Sequence, residues 1–208
     1  MQRPTSPGYE RSKGSPRGEA RRRELLQSVT DDLAANGLVG FSLRRAAHAA
    51  GTTHKVLLYH FDSAEDLLTQ AVLALRTRRI ERGLDAVRSL PSSSFADRVR
   101  ALWPVLTGPE SWVLDQAVGL AMYDSANYAL LARSASAEYL PRLVELCPPS
   151  WPDERKLEMS ELVLGALRGF LLELRTSHDE AGIEAGFRAL QRALDREETA
   201  AEHRLDTK

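Results

Sequence analysis

The stretch that decides the fold is residues 43–68, LRRAAHAAGTTHKVLLYHFDSAEDLL. Within it, Ala47, Gly51 and Leu57 have the spacing of a helix-turn-helix motif. The small Ala47 lets a second helix cross the first closely, and Gly51 tolerates the positive φ that such a sharp turn often requires. Leu57 is expected to point back into the angle between the two helices. The second helix, about residues 53–59, would then be presented as a rod that fits a DNA major groove.

The residues that follow this motif carry a resemblance to a known family. The segment LLYHF, residues 57–61, ends the second helix, and the segment DSAEDLL, residues 62–68, begins the next helix. Over about residues 21–72, the order and spacing of these elements resemble the TetR family of transcriptional regulators. Two positions depart from the family pattern: Leu58 stands where the family often has Tyr, and Ala64 where it often has Lys.

The resemblance implies an all-α protein in which a helix-turn-helix head of three helices is joined to a helical ligand-binding and dimerisation body. We expect a disordered basic arm over residues 1–18, which are rich in Pro, Gly, Ser and Arg. The DNA-binding domain is expected over residues 19–66, and the body over residues 67–205. Beyond residue 72 the chain shares only the helical layout of the family, not its motifs.

Apolar periodicity, turn signals and helix caps predict nine helices, the number found in the family. Ser42 and Ser63 are expected N-caps, and Asn36-Gly37 is an expected helix end. The pattern shows no alternation typical of strands. The predicted helices cover about residues 19–35, 43–50, 53–59, 63–88, 95–106, 110–123, 125–146, 153–176 and 179–202.

Composition and charge narrow the classes of function. The chain has 208 residues, 43% of them hydrophobic, which is enough for a sizeable core. The single cysteine, Cys147, excludes an intramolecular disulfide framework and fits a cytoplasmic protein, and we expect neither a signal peptide nor a membrane span. The net charge is +5 over residues 1–61 and −6 over residues 62–208, which favours a polyanion-binding face at the N-terminal end.

Candidate DNA-binding residues lie in and beside the helix-turn-helix. Side chains at the start of a recognition helix read base edges, and the flanking residues position the protein on phosphates. Several of the candidate residues also have an alternative role that does not involve DNA. Thr53 could serve only as a helix N-cap, and His54 and Lys55 could lie on a solvated helix face. His60 could pack in the core. A flexible basic arm of Arg11, Lys13, Arg17, Arg21, Arg22 and Arg23 would add affinity for DNA, or would serve as a solubilising tail. The candidates are Ser42, Arg44, Thr52, Thr53, His54, Lys55, Tyr59 and His60.

Aromatic and polar residues of the middle helices suggest a cavity for an unidentified small-molecule effector. Plain core packing is the alternative for each of these aromatic residues. The candidate pocket residues are Trp103, Trp112, Asp115, Gln116, Met122, Tyr123 and Tyr128, with Tyr139 a further aromatic residue of the same helices.

The last two helices carry apolar stripes that suggest a homodimer built as a four-helix bundle. The alternative is that both stripes cover the subunit's own core. The candidate interface residues are Leu164, Gly165, Arg168, Leu171, Ile183, Phe187, Leu190 and Leu194.

Catalytic and metal-binding motifs are absent from the sequence. The five histidines lie outside any H-E-x-x-H setting, and the chain has neither a glycine-rich phosphate loop nor G-x-S-x-G. We therefore expect no cofactor, no catalytic residue and no metal site. The function that the sequence favours is a ligand-responsive regulator, usually a repressor in this family, which binds palindromic double-stranded operator DNA as a homodimer. The rival is an all-helical small-molecule-binding or catalytic protein whose helix-turn-helix is only scaffold.

Overall fold

The computed structural model describes residues 15–132 and 135–206, and within these ranges the only regular elements are α-helices. The nine predicted helices are all found there, the one predicted over 125–146 as two segments on either side of residues 133–134. The predicted all-α fold is thereby confirmed. The segments are α1 Pro16–Asn36, α2 Leu43–Ala49, α3 His54–His60, α4 Ala64–Arg88, α5 Phe95–Thr107, α6 Ser111–Tyr123, α7 Ser125–Ala132, α8 Ala135–Leu146, α9 Asp153–Thr176 and α10 Glu180–Asp206.

Helix α1 begins earlier than the sequence predicts. The Ser15 side chain caps it by accepting a hydrogen bond from the Gly18 backbone N–H at 3.1 Å, and Pro16 occupies the first turn, where its missing N–H costs nothing. The predicted basic arm over residues 1–18 therefore loses its last residues to the helix, and residues 1–14 of that arm lie outside the described part of the chain.

The chain divides into two compact units, and the division differs from the predicted one. Among the described residues, unit 1 combines the chain up to Thr77 with residues 109–132, so α6 and α7 belong with the helix-turn-helix. The physical reason is burial, because α6 contributes three side chains to the same apolar core. The fully buried members of that core include Leu25, Val29, Leu33, Ala46, Leu57, Phe61, Leu67, Ala71, Val113, Leu114 and Ala117.

Among the described residues, unit 2 comprises residues 78–108 and 135–206, and it has a core of its own. Aromatic residues dominate its centre: Phe95 meets Trp151 edge-to-face at 5.4 Å, and Phe187 lies 4.7 Å from Phe170 between ring centroids. Leucine and valine side chains of α5, α8, α9 and α10 fill the remaining space. Within the described ranges, no helix combines the length and the apolar character needed to cross a membrane.

Candidate functional site

The turn between α2 and α3 has the geometry that the sequence predicts. Gly51 adopts a positive φ of 57°, a conformation in which a Cβ would be strained. The turn is closed by two backbone bonds, from the Gly51 N–H to the His48 carbonyl at 3.1 Å and from the Thr52 N–H to the Ala47 carbonyl at 2.9 Å. Beneath it, Ala47 and Leu57 are buried. The two helices therefore form a helix-turn-helix with a small residue at the crossing.

Helix α3 presents one solvent-facing surface. Thr53 is its N-cap, with the side chain accepting from the Val56 N–H at 3.4 Å. Next to it, His54, Lys55 and Leu58 are exposed, and spacings of three and four place them on one face. Leu58 is 44% exposed although it is a large apolar residue. This face therefore combines a hydroxyl, an imidazole, an ammonium group and an apolar side chain.

Helix α2 adds polar groups to the head. Ser42 caps the helix by accepting from the Arg45 N–H at 3.2 Å, and both Ser42 and Arg44 are exposed. His48, on the last turn of α2, is exposed as well, although the sequence did not single it out as a DNA contact. His48 lies four residues after Arg44, and this spacing places both side chains on the same face of α2, which could have identified His48 from the sequence.

Arg45 has a structural role instead of a surface one. Its Nε lies 2.7 Å from Asp32 Oδ2, and its Nη2 donates to the Gly37 carbonyl at 2.8 Å. Because the guanidinium group closes the end of α1 against α2, it fixes the angle at which the helix-turn-helix is held. Charge-assisted bonds of this kind are among the stronger ones in proteins.

Tyr59 and His60 stand at the C-terminal end of α3, and their environments differ. Tyr59 is half-buried, whereas His60 is buried, and the two rings meet edge-to-face at 4.9 Å. The His60 carbonyl accepts from Arg22 Nε at 3.2 Å, and the Arg22 guanidinium lies 4.9 Å from the centre of the Phe61 ring. The burial of His60 favours the packing role over phosphate contact, and it places Arg22 in the head, not in a flexible arm.

A side chain of α6 joins the head directly. Gln116 Oε1 accepts a hydrogen bond from the buried Leu38 backbone N–H at 2.7 Å. The preceding Gly37 has φ 77°, and a Cβ there would lie 3.1 Å from the same amide oxygen. Gln116 was a candidate pocket residue in the sequence, but its amide serves the loop between α1 and α2. This hydrogen bond therefore links α6 to the loop that precedes the helix-turn-helix.

Replacing Gln116 with leucine should destabilise unit 1, because the buried Leu38 N–H would lose its acceptor. We expect the free energy of unfolding to fall by about 1–3 kcal/mol, measured by urea denaturation. Gln27→Leu is the matched control, since Gln27 is exposed and bonds only Asp31 of its own helix among the described residues. That control should change stability by less than about 0.5 kcal/mol. If the two substitutions lowered the free energy of unfolding equally, Gln116 would not stabilise the helix-turn-helix head.

Unit 2 contains an apolar cavity of about 90 Å³ that opens to solvent. Helices α4, α5, α8 and α9 supply its walls. Most of the surface is aliphatic, and four longer polar side chains interrupt it. Its described lining consists of Arg79, Ile80, Gly83, Leu84, Leu102, Val105, Leu106, Tyr139, Arg142, Leu143, Leu146, Leu164, Leu167, Arg168 and Leu171.

The seven candidate pocket residues lie outside this lining. Trp103 packs edge-to-face on Phe187 at 4.9 Å in the core of unit 2. Met122 and Tyr123 are 80% and 90% exposed, so they cannot wall a cavity in the described subunit. The remaining candidates belong to unit 1, where Trp112 is exposed, Asp115 and Gln116 are half-buried, and Tyr128 packs against the core. Of the predicted aromatic residues, Tyr139 is the one that lines the cavity.

The eight candidate interface residues separate into three groups. Ile183, Phe187, Leu190 and Leu194 are buried in the core of unit 2, so they are unavailable for contact with a second subunit. For these four residues, the burial favours the alternative left open by the sequence, that the stripe covers the subunit's own core. Leu164, Arg168 and Leu171 line the cavity, and Gly165 is exposed.

A different stripe is exposed on the last two helices. On α9, Leu162 and Leu172 are 50% and 63% exposed, and a Cβ added at Gly165 or Gly169 would meet nothing within 4 Å. All four residues project from the same side of α9, as the helical repeat requires. Helix α10 exposes the small side chains Ala181, Ala185 and Ala189 at intervals of four.

Cys147 is enclosed by its own unit. The thiol lies 3.5 Å from the Leu143 carbonyl and 3.7 Å from Ser160 Oγ. Burial raises the pKa of the Cys147 thiol above its usual range, despite the opposing Ser160 hydrogen bond and nearby cations. Because the thiolate is the reactive form, this environment favours an inert packing role. Within the described ranges, no group of three or more His, Cys, Asp or Glu side chains is arranged to hold a metal ion.

Solved structures of transcriptional regulators share this fold. A TetR-family transcriptional regulator from Cytophaga hutchinsonii is 15% identical with a TM-score of 0.65, over 88% of this chain and 97% of that chain. A TetR-family member from Streptomyces coelicolor A3 is 18% identical with a TM-score of 0.61, over 84% of this chain and 98% of that chain. The multidrug binding protein EbrR, complexed with proflavin, is 19% identical with a TM-score of 0.61, over 83% of this chain and 98% of that chain.

These likenesses define the class of the fold. No protein-family model matches the chain, and no curated protein does. At identities of 15–19% the agreement over nearly the whole length of each solved chain concerns the three-dimensional fold. The chain has the all-helical fold of TetR-family regulators, which confirms the resemblance carried by the helix-turn-helix sequence.

Proposed function

We propose that this protein is a DNA-binding transcriptional regulator that acts as a homodimer, responds to a small-molecule ligand and represses its target genes. The observation that carries the proposal is the exposed face of α3, where Thr53, His54, Lys55 and Leu58 stand together on a closed helix-turn-helix. Threonine, histidine and lysine can all bond base edges or phosphates in the major groove, and an aliphatic side chain suits a thymine methyl group. Ser42 and Arg44 would contact the phosphate backbone beside it.

The electrostatics of the head support this use of the face. Lys55 makes no hydrogen bond or ion pair with another described residue, so its charge is available to a ligand outside the subunit. In contrast, Arg45 is engaged with Asp32, and Arg22 donates to Gln70. The head therefore uses some of its cations to build the motif and leaves others on the surface, as a DNA-binding module requires.

A homodimer follows from the size of the reading surface. One α3 helix contacts too few base pairs for useful specificity, so regulators of this kind pair two heads on inverted half-sites. The exposed stripe of Leu162, Gly165, Gly169 and Leu172 on α9 is the proposed contact, together with the exposed alanines of α10. Small residues allow two helices to approach closely, and the flanking leucines supply apolar area.

Ligand response is proposed for the cavity of unit 2. Helix α4 contributes Leu67 and Ala71 to the core of unit 1, and further along it contributes Arg79 and Gly83 to the cavity lining. A ligand that prefers one arrangement of this helix would change the population of the DNA-binding state. The coupling would be reciprocal, at about 1–3 kcal/mol, so operator DNA would weaken ligand binding by the same factor.

Lys55→Ala tests the DNA-binding proposal. If Lys55 contacts a phosphate, the substitution should weaken operator binding for all sequences and reduce the slope of log affinity against log salt by about 1. If it bonds a guanine, it should relax specificity at one position by about 1–3 kcal/mol. Fluorescence anisotropy with an operator selected from promoter fragments, at several salt concentrations, separates the two.

The matched control is Lys156→Ala, which removes the same charge from α9, where Lys156 lies 3.7 Å from Asp153. This control should leave DNA affinity and its salt dependence unchanged. Equal affinities of the Lys55 variant and the unaltered protein at every salt concentration would mean that α3 does not read DNA. The rival class, a helical small-molecule-binding or catalytic protein, would then be favoured.

A further inference from the structure

The cavity of unit 2 also indicates what kind of ligand it accepts. We propose that it binds an amphipathic anion, an aliphatic chain that ends in a carboxylate, with the carboxylate held at Arg168. The proposal rests on the ligand response proposed above and specifies its chemistry. It stands on the composition of the lining and on the partners of its polar groups.

The aliphatic part of such a ligand has a matching surface. Leucine side chains project into the cavity from α4, α5, α8 and α9, among them Leu84, Leu102, Leu143 and Leu167. Burial of apolar surface is favourable in proportion to its area, so a flexible alkyl chain gains affinity along its whole length. The only aromatic ring in the described lining is that of Tyr139, which favours an alkyl body over a stacked planar one.

The polar part of the lining is cationic. Three arginines, Arg79, Arg142 and Arg168, line the cavity, and no aspartate or glutamate does so among the described residues. Arg79 donates to the Tyr139 hydroxyl from Nε at 3.0 Å, and Arg142 Nη1 lies 2.7 Å from Glu145 outside the lining. The net positive charge attracts an anion and repels a cation.

Arg168, an exposed residue of the cavity lining, is the residue placed to receive the carboxylate. Its described partner is a neutral hydroxyl, since Nη2 donates to Ser136 Oγ at 3.0 Å. No described carboxylate forms an ion pair with it, unlike Arg142. A guanidinium group offers a fork of donors that matches both oxygens of a carboxylate. An anion at Arg168 would therefore gain a charge-assisted contact without displacing an existing ion pair.

Three probes of equal chain length test this chemistry: decanoate, decanol and decyltrimethylammonium, each below its micellar concentration. Isothermal titration calorimetry with the full-length protein should show decanoate binding at least about tenfold more tightly than decanol, as a hydrogen bond to a charged group would give. The cation should bind more weakly than decanol. Decanol or the cation binding as tightly as decanoate, or no binding of any probe, would overturn the proposal.

Two further measurements locate the contact. Arg168→Gln should reduce decanoate affinity about tenfold and leave decanol affinity unchanged, whereas the control Arg192→Gln, at an exposed position of α10 outside the lining, should change neither. In the unaltered protein, the ratio of decanoate affinity to decanol affinity should fall as sodium chloride increases, because salt screens the ionic contact. The contribution of the alkyl chain cancels in this ratio, since both probes have the same chain. Unchanged decanoate binding in the Arg168 variant, or a ratio independent of salt, would overturn the assignment.

Operator binding without any probe keeps this proposal separate from the proposed function. Failure of decanoate to bind, combined with specific operator binding, would overturn the ligand class and leave the regulator standing. Loss of specific operator binding in the unaltered protein would instead overturn the regulator, whatever the cavity binds.

Discussion

Leu172→Asp is expected to separate the homodimer into folded monomers and to lower operator affinity by at least about a hundredfold, the loss expected when two linked contacts become one. Leu172 is 63% exposed in the subunit, so the substitution leaves the core of unit 2 intact. In the proposed dimer the same carboxylate would be buried without a partner, which disfavours association by several kcal/mol, about 3–5 by analogy with broken buried pairs.

Sedimentation equilibrium and anisotropy with the selected operator measure the two effects. Leu157→Asp is the matched control, because Leu157 is a 51% exposed leucine of the same helix that lies off the stripe formed by Leu162, Gly165, Gly169 and Leu172. The control should remain dimeric and bind DNA normally. A Leu172 variant that stays dimeric at micromolar concentration would place the subunit contact elsewhere.

Phe187→Asp is expected to unfold unit 2 and not merely to break a dimer. Phe187 is fully buried, and its ring lies 4.9 Å from Trp103 and 4.6 Å from the Arg100 guanidinium. Removing a buried phenylalanine costs about 3–5 kcal/mol, and burying an unpaired carboxylate adds to that cost. Circular dichroism in urea should show a large loss of stability or an unfolded protein at low denaturant.

The milder variant Phe187→Leu keeps the site apolar. It should lower the free energy of unfolding by about 1–2 kcal/mol and should preserve the dimer. A stable, well-folded Phe187→Asp monomer would show that this side chain lies at a subunit contact, as the sequence first suggested, and would contradict the core assigned to unit 2.

The helix-turn-helix could be predicted because its determinants are local. The positive φ of Gly51, the cap at Ser42 and the small Ala47 at the crossing all depend on neighbours within a few residues. The order of these residues along the chain is therefore enough to predict the geometry of the motif. The same argument explains why most predicted helix ends agree closely with the structure. The exceptions are the start of α1 at Pro16, where a proline-rich segment is also typical of disorder, and the end of α10 at Asp206, four residues beyond the predicted end.

The ligand cavity and the subunit contact depend on which distant helices meet, and periodicity alone does not give that information. Helix α9 carries leucines on both sides, and burial shows that Leu164 belongs inside whereas Leu172 faces out. Helix α6 contains aromatic residues typical of a pocket, yet its Gln116 bonds the α1–α2 loop and its Tyr123 is exposed. A sequence pattern can show that a helix has an apolar face, but not what covers that face.

The central claim is tested most directly by binding of operator DNA over a range of salt concentrations. A fragment selected from promoter DNA should bind at least about a thousandfold more tightly than a shuffled fragment, with affinity falling steeply as salt increases. Footprinting on it should reveal two inverted half-sites separated by roughly one helical turn. Equal affinity for the selected and shuffled fragments, or protection of a single asymmetric half-site, would contradict a dimeric regulator that reads DNA through α3.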